Sequence, residues 1–167
     1  MTFSNDEIRT IVVAGGCFWG VEEYYRRLKG IIDTEVGFGH EDESIDTNNY
    51  DDLIESVKLT YDSNLISLDN IIDHLFRIID PTSYNKQGPD EGPHYRTGIF
   101  YENLSDKIMI DNAITSKSAL YTQPIHTKAR NLHHFQIAEA KHQEYLANNP
   151  NAQCHVDFSL IKDDEKK

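Results

Sequence analysis

Thr10-Ile11-Val12-Val13-Ala14 runs directly into Gly15-Gly16-Cys17-Phe18-Trp19-Gly20, and Val21-Glu22-Glu23-Tyr24-Tyr25-Arg26-Arg27-Leu28 follows. The first run is β-branched and apolar, which reads as a strand. In the last, Val21, Tyr24, Tyr25 and Leu28 fall at the i, i+3, i+4, i+7 spacing of one helix face. Cys17 therefore sits where a strand hands over to a helix, among glycines that let other groups approach closely. Backbone N–H groups at a helix start lack intrahelical partners and favour negative charge. They are expected to lower the thiol pKa from its free value of about 8.5. The plain alternative is a buried, inert cysteine. It does not explain why a Phe and the chain's single Trp follow the thiol in a glycine-bracketed turn.

Outward from this turn, 167 residues with 38% hydrophobic content suggest one domain with a core, about residues 10–150, and a flexible C-terminal tail carrying Cys154. A net charge of −12 argues against nucleic acid and anionic membranes as partners. Nine acidic residues and no Lys or Arg lie between Gly30 and Val57, most of them reading as a solvated loop. No cationic start leads into a long apolar run, so a cytoplasmic address is expected. Two cysteines are no disulfide framework, although a transient catalytic pair remains open.

The pattern predicts a strand over about 10–15, a helix over 18–28 and a strand around Thr34–Phe38. Ser56–Tyr61 alternates as a half-buried strand, and Glu55 shares the parity of Val57, Leu59 and Tyr61. Its carboxyl is thus expected on the buried face. Leu68, Ile71, Ile72, Leu75, Phe76 and Ile79 stripe a second helix, capped by Ser67 and stopped by Asp80-Pro81. Pro81–Arg96 is irregular and long enough to suggest function. A strand over Thr97–Tyr101, a helix from Ser105 to about Leu120, an edge strand over Gln123–Lys128 and a last helix over Ile137–Asn148 follow. Lys162–Lys167 is expected to fray. The order strand–helix–strand–strand–helix–strand predicts an α+β two-layer sandwich. Its core is a ferredoxin-like split β-α-β unit, with an extra C-terminal helix and an irregular tail.

The hexapeptide around Cys17 resembles the signature of the A-class peptide-methionine sulfoxide reductases. Asp80-Pro81-Thr82 and Gln87-Gly88-Pro89-Asp90-Glu91-Gly92-Pro93-His94-Tyr95-Arg96 resemble that family's second block. His142-Gln143-Glu144-Tyr145-Leu146 with Asn149-Pro150 resembles its last helix. The resemblance implies that a Cys17 thiolate attacks the sulfur of a methionine sulfoxide, with a preference for the S epimer. It implies Glu55 as the catalytic acid, Tyr50, Asp90 and Tyr95 at the substrate, and Cys154 as the resolving thiol. The S–O bond breaks only if its oxygen is protonated, and a buried carboxyl keeps a proton available. Cys17 and Glu55 then titrate as a pair, giving a bell-shaped pH–rate profile. Phe18 and Trp19 offer an apolar wall for the sulfur-bound methyl. The sulfenic acid left on Cys17 would condense with Cys154 to a disulfide. The resemblance also implies reduction of that disulfide by an external dithiol such as thioredoxin, with no prosthetic cofactor. A monomer is expected.

Two other readings remain at this stage. His133, His134, His142, Cys154 and His155 make a possible metal module, but no tight paired spacing supports it and no metal is expected. A cysteine hydrolase would need a His beside Cys17, and the sequence assigns none.

Overall fold

The computed structural model describes residues 7–44, 48–49, 52–152 and 154–167. In chain order the elements are β1 (Ile8–Gly15), α1 (Phe18–Arg26), β2 (Ile31–His40), β3 (Ile54–Asp62) and α2 (Leu68–Ile78). A two-residue hairpin follows, β4 (Lys86–Gln87) and β5 (Asp90–Glu91), then a 3₁₀ turn over Pro93–Tyr95. β6 (Thr97–Tyr101), α3 (Leu104–Ser118), β7 (Lys128–Asn131), β8 (His134–Ile137) and a short α4 (Tyr145–Asn148) complete the set.

The six long strands form one sheet in the order β7-β6-β1-β3-β2-β8, antiparallel except for the parallel β6–β7 pair. This is an α+β architecture. The position of β1 follows from its composition. Ile11 and Val13 face one cluster with α1 and α2, while Val12 and Ala14 face a smaller cluster with Ile54 and Phe100. A strand buried on both faces must be apolar at every position, which the Ile11–Ala14 run supplies.

α1 and α2 lie together against the first face. Val21, Tyr24, Tyr25 and Leu28 meet Ile71, Ile72 and Leu75 in one core, all at most 1% exposed. Burying tyrosines that deeply requires partners for their hydroxyls. Tyr25 donates to the carbonyl of Ile71 at 2.7 Å, and the Tyr24 hydroxyl pairs with His74 Nδ1 at 2.7 Å. Ser67 does cap α2: its hydroxyl accepts from the Asn70 amide while Asn70 Oδ1 accepts from the Ser67 amide.

Three segments differ from the sequence expectation. The edge strand expected over Gln123–Lys128 begins instead at Lys128, and its place is fixed by pairing with β6 rather than by its own pattern. The last helix expected over Ile137–Asn148 is divided into β8, a 3₁₀ turn over Ala140–His142 and α4. Gln143 causes much of that division. Its side chain accepts from the Val36 amide at 2.8 Å and donates to the carbonyls of Val36 and Ala138, which ties the segment to the edge of β2.

The tail expected to fray is likewise held. Lys29 and Lys167 amides donate to Glu165 and Arg27 carbonyls, and Arg77 grips Glu165 at 2.7 and 2.9 Å through both guanidinium nitrogens. That grip lowers the Glu165 pKa to about 2. A depressed carboxyl pKa adds stability above its unfolded value of 4.5, and this is lost as pH falls towards about 2. Glu165→Gln should therefore cost about 1–2 kcal/mol near neutrality, a drop in Tm of about 2–8 °C. The gap between variant and wild type should narrow as thermal unfolding is repeated from pH 5 down to about 2.5.

Candidate active site

Gly15 closes β1 opposite Thr97 of β6, and α1 starts at Phe18. Gly16 bridges the two with a backbone φ of +88°, a left-handed conformation that glycine adopts without strain. Its Cα is packed tightly by Gln87, where an added Cβ would come within 2.8 Å of the Gln87 Cβ. Cys17 is the N-cap residue of α1 and is half-buried.

The orphan amides of the first turn are shared between two acids. Phe18 N–H donates to Glu55 Oε1 at 3.1 Å. Glu55 lies on β3 across from Phe38 of β2 and is 3% exposed. Its parity with Val57 and Leu59 does carry it to the helix-bearing face, beneath the start of α1. The Trp19 N–H lies near the Cys17 sulfur and pulls its pKa down, but this is not the dominant effect.

Burial pushes the Cys17 thiol up to about 12, with further repulsion from Glu55, Cys154 and Asp90. The sequence expectation of a lowered pKa is thus reversed. One helix end acts over a single turn, whereas desolvation acts on the whole thiolate, and the closest charge is negative.

Phe18 and Trp19 open α1 directly after the thiol. Phe18 is 5% exposed, with its ring 5.6 Å from that of Phe38 and 5.6 Å from that of His142. Trp19 is half-buried, stacked on Tyr145 at 3.9 Å and 15°. Its indole N–H donates to His142 Nδ1 at 3.1 Å, which fixes the ring plane.

Tyr95 closes the 3₁₀ turn before β6, and Asp90 stands on β5. The Tyr95 phenol is pushed up to about 12 by burial, then by Glu55, Asp90 and Cys17, so both residues share the electrostatic neighbourhood of the thiol. Tyr50 lies outside the described residues.

Cys154 arrives from the C-terminal segment. Its sulfur accepts from the Val156 amide at 3.3 Å and rests against Gly20 in the first turn of α1, so closely that a Cβ at Gly20 would collide with it. Burial raises its thiol pKa too, and Asp90 contributes. Both cysteines are free thiols. Cys17, Phe18, Trp19, Glu55, Asp90, Tyr95 and Cys154 are thus brought together.

Sequence reasoning gave no site role to Gln87, although the motif Gln87-Gly88-Pro89 contained it. Gln87 is 2% exposed and clamps the loop by accepting from the Asp80 amide and donating to the Asp80 carbonyl, both at 2.8 Å. The indole and Phe18 contacts of His142 and Tyr145 were equally unassigned. The histidines of the metal reading are dispersed: His142 serves Trp19, His155 meets the Gly15 carbonyl, and His133 faces Glu43. Among the described residues no group of three His, Cys, Asp or Glu is placed to hold a metal ion.

The raised thiol pKa has a direct consequence. Alkylation of Cys17 by iodoacetamide should stay slow through pH 9 and climb with pH above it. In Glu55→Gln the curve should move to lower pH without falling below the ordinary value of 9, because burial outweighs the carboxylate. The rate of Cys17 modification against pH, measured by mass spectrometry in a Cys154→Ser background, reads this out.

With the geometry in hand, comparisons with known proteins are specific. A family model described as "Peptide methionine sulfoxide reductase" matches residues 9–167. The peptide methionine sulfoxide reductase MsrA of Ureaplasma urealyticum is 41% identical over 163 residues, covering 93% of this chain and 97% of that protein. Reduced Mxr1 of Saccharomyces cerevisiae superposes with a TM-score of 0.80 at 30% identity, covering 92% of each chain. Mxr1 in complex with Trx2 gives a TM-score of 0.60 at 25% identity, covering 87% of this chain and 89% of that one. The sulfur-bearing turn, the acid beneath it and the match along nearly the whole length agree: the chain belongs to the peptide methionine sulfoxide reductase family.

Proposed function

We propose that Cys17 is the nucleophile of a thiol-dependent peptide-methionine (S)-S-oxide reductase, with Glu55 as its acid and Cys154 as its resolving thiol. What carries this reading is the buried Glu55 carboxyl, bonded to the Phe18 amide beside the Cys17 thiol. A low-dielectric site tolerates one negative charge on that pair more readily than two. One proton therefore stays with the pair while the sulfur attacks.

In the first step the Cys17 thiolate attacks the sulfoxide sulfur, the methionine S–O bond breaks, and the oxygen passes to the Cys17 sulfur. Methionine leaves reduced and Cys17 is oxidised to a sulfenic acid. The single proton of the pair passes from the thiol to the Glu55 carboxylate and from Glu55 to the oxygen, ending on the sulfenic acid hydroxyl and leaving Glu55 ionised. Phe18 and Trp19 hold the methyl group, Tyr95 and Tyr50 hydrogen-bond the oxygen, and Asp90 orders the loop. Cys154 then closes a disulfide with Cys17. Thioredoxin is the reductant, a partner suggested by the complex of Mxr1 with Trx2.

Sulfur chemistry alone accounts for these steps, so no prosthetic cofactor or metal is invoked. The substrate is methionine sulfoxide, free or in oxidised proteins. The neighbouring order β6-β1-β3-β2 is read as the ferredoxin-like split β-α-β core of one catalytic domain spanning 1–167. We read the enzyme as a cytoplasmic monomer, with the net charge of −12 turning it from nucleic acid and anionic membranes. No helix among the described residues is long and apolar enough to cross a membrane.

An epimer-resolved assay with dithiothreitol tests the reading. Wild type should consume the S epimer and leave the R epimer, and Cys17→Ser should consume neither. Glu55→Gln should lose about 10²–10⁴-fold in rate, and an undiminished rate removes Glu55 as the acid. The wild-type profile should be bell-shaped, because only the singly protonated pair reacts. Cys154→Ser should release about one methionine per enzyme with thioredoxin and then stop.

A further inference from the structure

We propose that His155 is a positioning residue for the second chemical step, holding Cys154 within reach of the Cys17 sulfenic acid; this rests on the resolving role given to Cys154 above. The observations concern the imidazole that follows Cys154 directly. Its side chain is 4% exposed. A carbonyl oxygen can only accept, so the 3.0 Å contact of His155 Nε2 with the Gly15 carbonyl is an N–H···O bond, and the proton is on Nε2. Gly15 ends the strand that delivers Cys17.

The same ring is gripped from two further sides. A Cβ at Gly16 would lie 3.2 Å from His155 Cε1, and one at Gly88 would lie 3.0 Å from His155 Cβ. The turn that carries Cys17 and the hairpin that carries Asp90 therefore both close on this residue. Among the described residues His155 Nδ1 has no hydrogen-bond partner; it is buried, 3.9 Å from Asp90 Oδ2. The imidazole thus joins strand end, hairpin and C-terminal segment at one point. On its C-terminal side the segment is pinned by buried Val156, and on the other side the Cys154 sulfur rests on Gly20.

The chemistry explains why such a clamp matters. The Cys154 sulfur must reach the Cys17 sulfur, form S–S and expel the hydroxyl. The thiol proton leaves with that hydroxyl as water, and no further oxidant or reductant is consumed. The rate depends on how often the segment presents its sulfur, so a bond fixing the adjacent residue to the Cys17 turn raises the effective concentration. The first step, by contrast, needs no part of His155.

The test separates the donor from the packing. His155→Leu keeps a filled site without the N–H, and His155→Gln restores a donor at the Nε2 position. Each reduced full-length enzyme is mixed with excess S-epimer sulfoxide and no reductant. Methionine released, dimedone-trapped sulfenic acid and Cys17–Cys154 disulfide are followed by mass spectrometry. In His155→Leu the methionine burst should match wild type while disulfide formation slows about tenfold or more and trapped sulfenic acid accumulates. His155→Gln should recover most of the wild-type disulfide rate. Disulfide formation at the wild-type rate in His155→Leu overturns the proposal, as does an equal slowing of the burst. If wild type itself forms no Cys17–Cys154 disulfide, the resolving role of Cys154 fails instead, and with it the ground for the proposal.

Discussion

The bond from the Phe18 amide to the Glu55 carboxyl is the constraint on which the site depends. It uses one of the unfilled N–H groups that every helix start presents. The amide belongs to α1 and the carboxyl to β3, so the bond fixes the height at which the helix leaves the sheet. The same contact decides which acid receives the positive end of the helix. The carboxyl takes the Phe18 amide, and the thiol is left with the Trp19 amide, whose lowering effect burial and the Glu55 charge outweigh. The geometry that brings the Glu55 carboxyl near the thiol therefore also removes part of the help expected for a resting thiolate.

That trade has a chemical logic. A thiol pushed up to about 12 is a poor nucleophile towards peroxide and alkylating agents, since the thiolate is the reactive form. In the proposed reaction a sulfoxide would bring its own proton acceptor to the thiol, and the burial and negative neighbours that suppress the resting thiolate would favour transfer of the proton to oxygen. Trp19, bonded to His142 and stacked on Tyr145, presents a ring whose plane is fixed on two sides.

Local patterns in the sequence carried the strand-to-helix turn, the α2 cap at Ser67 and the face on which Glu55 lies, because parity and helical spacing are properties of a few neighbouring residues. What the sequence hid was set between distant residues. The Cys17 pKa moves upward because the fold buries the thiol and then sets Glu55 and Asp90 near it, which no reading of residues 15–20 contains. The charged tail looked frayed because its partner Arg77 lies on a helix far back in the chain. Residues 137–148 have enough apolar spacing for a helix. They are divided because β8 gains more by pairing with the open edge of β2, and Gln143 bonds that same edge.

The C-terminal segment shows how such distant pairings become function. A cysteine near the end of a chain reads as mobile, and mobility alone would make its meeting with Cys17 rare. Here the segment is anchored on both sides of Cys154, by buried Leu146 before it and by buried Val156 and Ile161 after it, with Glu165 locked to Arg77 at its end. Loss of one anchor leaves the others in place, so the segment can shift locally without leaving the surface. The disulfide closure proposed for Cys154 needs that local shift, because its sulfur is lodged against Gly20 while both cysteines are free thiols. The absence of a side chain at Gly20 provides that resting place, since a Cβ there would collide with the sulfur.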